Sequence, residues 1–222
     1  MLTSITMEIE NYKKTIGWGL IALFTVFFIN VLVARIPVMH DSAFYKIRDW
    51  WFILSQIIQA STVILIAFSR KSQASLISKI GAILYSLLML MYITNRIVFF
   101  INGNAFLYFQ GVSEYVNSLL LYSPGMLLLV WGLSKLWLPI KLVTTLSVIV
   151  SIIEDMIWAR LVPMNQNMSD YSFEQTEPLQ NIVDILSHIN SFITFALIVL
   201  SFVWMCLRSK VPSVQNRNIE II

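Results

Sequence analysis

Residues Leu138–Trp158 read LPIKLVTTLSVIVSIIEDMIW. An apolar run of about 20 residues is what an α-helix needs to cross a hydrocarbon core of about 30 Å. The run is continuous, which argues against a membrane β-strand, whose segments are about ten residues of alternating polarity. Lipid offers no partner for an unpaired backbone N–H or C=O, so a helix is the form that spans. Within the run Thr144, Ser147, Ser151, Glu154 and Trp158 step by three or four and trace one stripe of that helix. Adjacent carboxylates, Glu154 and Asp155, lie toward its C-terminal end. The stretch thus implies a helical membrane class and one polar helix face that must meet something other than lipid.

Five further runs of the same kind flank it: Thr15–Ala34, Trp50–Ser69, Ile80–Ile101 and Val116–Ser134 before, and Ile182–Leu207 after. The 222 residues are 58% apolar and 12% charged, with a mean hydropathy of +0.76. Soluble domains stand near about 45–50% and about 25%, so a water-soluble globular domain is excluded. The single Cys206 excludes an internal disulfide framework, and two His exclude a His-rich metal site. The first run follows Lys13-Lys14 but is longer than a signal h-region of about 7–15 residues, and Arg35-Ile36-Pro37 follows it in place of a cleavage site. It reads as an uncleaved first span. The expectation is an all-α integral membrane protein: a six-transmembrane-helix bundle over residues 15–207, with cytoplasmic segments at 1–14 and, as a basic tail, 208–222.

A formal net charge of +3 and a pI near 9.0 do not signal nucleic acid here. The basic residues are scattered at the ends of apolar runs, not clustered among aromatic residues as a nucleic-acid surface requires. With the N-terminus inside, the inner segments hold ten Lys and Arg, including Lys13, Lys14, Arg70, Lys79, Lys135 and Lys141, and the outer segments hold Arg35, Lys46, Arg48 and Arg160. That asymmetry predicts N-in, C-in topology. The segments Asn102–Tyr115 and Pro163–Gln180 then read as external loops, the second carrying Asp170, Glu174 and Glu177.

Ionisable residues inside spans are expensive and mark candidate sites. They are Arg96 in the third run, Glu154 and Asp155 in the fifth, and Asp184 and His188 in the sixth. At 1.5 Å per residue all five fall about 5–10 Å beneath the outer boundary. Amides join them: Asn95, Asn117, Asn190, Gln56, Gln59 and Asn30, all in outer halves. In the sixth run Asp184, His188, Ser191 and Thr194 form a stripe with Ser187 alongside; in the second, Ser55, Gln59 and Thr62; in the third, Tyr85, Tyr92 and Arg96. Polar stripes in membrane helices face the bundle interior or a wet cavity. The candidate ligand-binding set is therefore Arg96, Glu154, Asp155, Trp158, Asp184, His188, Asn95 and Gln59. With Arg96 counted, the set stays negative even with one of its three carboxyls neutral, which favours a cation or a polar solute. Structural explanations stand beside this one: Asn181 as N-cap with Asp184 in the first turn, Arg96 snorkelling to headgroups, and His188 hydrogen-bonded in packing.

No nucleotide, zincin or nucleophile-elbow motif occurs, and the one GxG, Gly17-Trp18-Gly19, lies inside the first run. No cofactor is expected and no catalytic residue can be named. Three readings follow. The first is an outward-facing acidic pocket that binds or transports a small cationic or polar solute, with Trp158 and Tyr92 offering cation–π faces. The alternative is a non-catalytic membrane partner, a sensor or assembly subunit whose partner is another membrane protein. The third, with least support, is a membrane-embedded metal-dependent hydrolase using Asp184, His188 and Glu154. Richness in Ile, Asn and Lys with little Gly and Ala fits an AT-rich bacterial genome, so the expected location is a bacterial inner membrane.

Overall fold

Five of the six apolar runs become helices that outlast the run that announced them. A computed structural model describes residues 2–34, 42–70, 72–102, 118–166 and 173–207. The helices are α1 (Leu2–Ala34), α2 (Ser42–Phe68), α3 (Leu76–Asn102), α4 (Ser123–Trp131), α5 (Leu138–Gln166) and α6 (Phe173–Cys206), and a π-helical turn, Ser118–Tyr122, leads into α4. Within them Ile9–Val33, Ile47–Phe68, Leu76–Val98, Leu138–Leu161 and Glu177–Cys206 are long and apolar enough to cross a membrane. The chain is a polytopic all-α membrane protein.

The fourth helix departs from expectation. Its five π-helical and nine α-helical residues rise about 21 Å, short of a hydrocarbon core. The Ser123-Pro124-Gly125 step is where the π-turn gives way to α-helix. Pro124 has no N–H for the residue four back, so an unbroken α-helical ladder cannot run through it. The expected loop Pro163–Gln180 is also corrected, because α5 continues to Gln166 and α6 already begins at Phe173. Asn181 is therefore a mid-helix residue and not the N-cap of the sixth helix. Pro178 lies inside α6 and removes one backbone donor without ending the helix. His40, Asp41, residues 103–117 with Glu114 and Asn117, Asp170 and the basic tail 208–222 lie outside the described residues.

Each helix packs on its neighbours in sequence, and α6 packs back on α1, so the helices form a ring closed in chain order. One end, built from the start of α1, the end of α6 and the α2–α3 and α4–α5 connections, is filled. Tyr12, Ile16, Leu20 and Leu23 descend one face of α1 at helical spacing and are buried against Val63, Ile66, Leu129, Leu133, Ile140 and Leu197. The two connections are tied together: Ser75 N–H donates to Gly132 C=O at 3.4 Å, and Lys135 Nζ donates to Gln73 Oε1 at 2.5 Å. Lys13 Nζ donates to Leu207 C=O at 2.9 Å, joining α1 to α6. Outward faces carry apolar residues such as Leu65, Leu87, Leu146 and Phe192, the side that lipid solvates.

Candidate functional site

At the other end, where α1, α3 and α5 finish and α2, α4 and α6 begin, the ring does not fill. It encloses a cavity of about 540 Å³ to which α1, α2, α3, α5, α6 and the π-turn contribute walls. The α5 stripe reads inward as its spacing demanded, with Thr144, Ser147 and Ser151 buried and Ser151, Glu154, Asp155 and Trp158 on the cavity wall. From α6 come Val183, Asp184, Ser187 and Asn190. Glu154 lies seven residues before the end of its candidate span and Asp184 seven after the start of its own, so both are about 10 Å inside.

The wall is held by hydrogen bonds between helices. Ser118 Oγ donates to Asp155 Oδ2 at 2.8 Å, so the π-turn seats one carboxylate. Asn190, 5% exposed, accepts from Ser147 Oγ at 2.8 Å and donates to Ser151 Oγ at 3.1 Å, clasping α6 to α5. On the facing side Tyr85 Oη donates to Gln59 Oε1 at 2.5 Å, and Trp51 Nε1 donates to Asn30 Oδ1 at 3.0 Å. Gln56, also in the lining, has its Oε1 buried with no hydrogen-bond partner among the described residues. An aromatic floor lies below: Phe27 stacks on Tyr122 at 6.2 Å between centroids, and Tyr85 meets Tyr122 at 5.6 Å. Beneath Phe27 and Tyr122 is a void of only about 10 Å³, on the scale of a single water.

Of the eight residues proposed from sequence, Gln59, Glu154, Asp155, Trp158 and Asp184 lie together on the cavity wall, and Asn95, Arg96 and His188 do not. Arg96 instead pairs with Asp49, Nη1 to Oδ1 at 3.1 Å, and its guanidinium stands 5.7 Å from the centre of the Phe52 ring. Phe52 lines the cavity, so the cation stands behind the wall. His188 is exposed, and its Nδ1 lies 2.6 Å from the Asp184 C=O of its own helix. The cause is angular. At about 100° per residue, Val183, Ser187, Asn190 and Thr194 mark the inward arc of α6, Asp184 stands at its edge and His188 a further 40° or so outside it. Asn95 is half-buried, away from the lining. Among the described residues no three His, Cys, Asp or Glu side chains are grouped to hold a metal ion, so Glu154, Asp184 and His188 do not form the metal triad.

Moving Arg96 out changes the charge of the cavity. Among the described residues its lining holds three carboxylates and contains no Lys, Arg or His. Sequence reasoning missed Asp49, one residue outside the expected second run yet more than a turn inside α2. It also missed Ser118, which no stripe signalled because a π-turn breaks the 3.6-residue period. The chain matches no protein-family model, no curated protein and no solved structure.

Proposed function

We propose that the cavity binds a small cationic or polar solute, as the binding site of a carrier or receptor that spans the membrane six times. The observation that carries this reading is a cavity of about 540 Å³ whose wall, among the described residues, has three carboxylates and no basic residue. A cleft lined by one sign of charge draws the opposite charge into it. A volume of this size lies within the range of small-molecule sites. The half-buried rings of Tyr92 and Trp158 offer cation–π faces on the same wall.

The ring order supports six crossings. The helices α3 and α5 both finish at the cavity end, so the chain must return between them, and the short α4 with its π-turn is the returning stave. Lys13, Lys14, Arg70, Lys79, Lys135 and Lys141 all stand at the filled end, which the positive-inside rule assigns to the cytoplasm. That orientation is N-in, C-in, with the cavity facing outward from an inner membrane.

The test is thermal unfolding of the purified full chain in detergent against inorganic cations, amines and divalent metals. A ligand at a hundred times its Kd stabilises by about 2.7 kcal/mol, which reads as a rise of several degrees. Glu154→Gln and Asp184→Asn abolish the rise. Arg96→Gln and His188→Ala keep it, although Arg96→Gln costs on the order of 1 kcal/mol because Asp49 loses its partner. If no compound shifts the midpoint and all four variants are merely less stable, the polar wall is structural and the membrane-partner reading replaces this one.

A further inference from the structure

Resting on the solute-binding reading, we infer that the occupant is a small aliphatic cation with N–H donors at both ends, a diamine or short polyamine. The cavity, about 540 Å³, is far larger than a bare ion needs and is of the size that holds organic molecules. At its α5–α6 side Glu154, Asp155 and Asp184, when ionised, can accept but not donate. An ammonium group, a donor with positive charge, complements that side.

The second end is set by the ring order. Since α2 packs on α1 and α3 while α5 packs on α4 and α6, α2 and α5 stand on opposite sides of the ring. On α2 Gln56 lines the cavity, and its Oε1 is buried in the wall with no partner among the described residues. Leaving such an acceptor unsatisfied costs about 1–3 kcal/mol. A turn of the amide about its last side-chain torsion exchanges Oε1 with Nε2 and brings Oε1 toward the lumen, where only an N–H or O–H donor answers it. A quaternary ammonium cannot. Between the two polar sides the lining includes Val31, Leu88 and Met89, in position to cover a chain of methylenes. A monoamine satisfies one side only; a diamine satisfies both.

Isothermal titration of the purified full chain in detergent tests this with five probes: 1,5-diaminopentane, 1-aminopentane, the bis-trimethylammonium analogue of the same chain length, Na⁺ and Mg²⁺. The diamine is expected to bind at least about tenfold tighter than any of the others, the size of one charge-assisted hydrogen bond. Gln56→Met should bring its affinity down about tenfold, to the monoamine level, while the thermal midpoint without ligand stays level or rises, since an unpartnered acceptor has gone. Asp184→Asn, on an exposed position, should weaken monoamine and diamine alike. Equal binding of the monoamine or of the bis-quaternary compound, or a Gln56→Met variant with undiminished diamine affinity, overturns the two-ended amine and leaves solute binding standing. Binding of Na⁺ or Mg²⁺ alone overturns the amine class. Binding of none of the probes, with no stabilisation by any compound in the thermal panel, overturns both readings.

Discussion

Buried amides show how single residues hold this wall together. Gln59 is 3% exposed, and its Oε1 is answered by the Tyr85 hydroxyl. Tyr85→Phe removes that donor with little change of shape and leaves the acceptor buried. Interhelical hydrogen bonds in membranes average only about 0.6 kcal/mol, but an orphaned buried acceptor adds its own desolvation, so the expected loss is about 1–2 kcal/mol. Thermal unfolding should also show coupling: Tyr85→Phe with Gln59→Leu costs less than the two losses added, since the double variant has no orphan. Additive losses would mean that the two groups do not interact. Much of this scale was legible beforehand. Ser147, Ser151, Glu154 and Trp158 fall on the cavity side because a 3.6-residue period leaves them no other choice. Asn190 and His188 were not separable, because two residues on one helix differ by a rotation that sequence cannot set.

Among the elements, α3 and α4 pack more closely than any side chain allows. A Cβ on Gly81 would run into the Leu129 backbone nitrogen, and one on Gly125 would come within 2.9 Å of the Tyr85 nitrogen. Ser78 Oγ donates to Leu129 C=O at 2.8 Å across the same seam. Small residues that let helix backbones touch are a membrane-bundle device, because dispersion packing replaces the hydrophobic effect between helices in lipid. Gly81→Ala is therefore expected to cost at least about 2 kcal/mol, since backbone must move. At Gly17 the nearest atoms belong to the Met205 side chain, at 3.1 to 3.3 Å, and a flexible side chain can give way. Gly17→Ala should fall within about 1 kcal/mol of the parent, helped by the better helix propensity of Ala. Equal losses at the two positions, read from thermal midpoints, would contradict the close seam. Existence and order of the helices were readable from hydropathy. Their ends were not, since the charged positions at the start of α2 and α6 looked like loop while the backbone there is helical.

At the scale of the molecule, the ring and its orientation make one joint prediction. A Cβ on Gly17 lies 3.1 Å from Met205 Cβ, just under the roughly 3.5–4.5 Å of a disulfide. In a background where the exposed Cys206 is replaced by Ser, Gly17→Cys with Met205→Cys should oxidise to a crosslink that joins α1 to α6. Gel mobility after cleavage between them reads the closure. In the same background an impermeant maleimide applied to intact cells should label Glu177→Cys and not Lys14→Cys. The reverse labelling would place the cavity on the cytoplasmic side. The one-sided polarity of the molecule was visible in the sequence because carboxylates and amides gather in one half of each run. An outward-facing pocket was expected from that polarity; its volume and lining were not, because they depend on how the helix faces meet.

Sequence alone determined the class, the number and order of apolar runs, and the inward face of α5, since hydrocarbon thickness, backbone hydrogen bonding and helical period leave these no freedom. Only the tertiary structure decided that α6 closes on α1, that Asp49 takes Arg96 behind the Phe52 wall, that His188 turns away, and that α4 is short behind a π-turn. Each of these depends on a helix's rotation, register or neighbour, and such quantities are set by packing between distant residues and leave no mark in local pattern. The acid-lined cavity follows from both: the carboxylates are legible in the chain, and the absence of a basic residue among the described residues of its wall is a property of the fold.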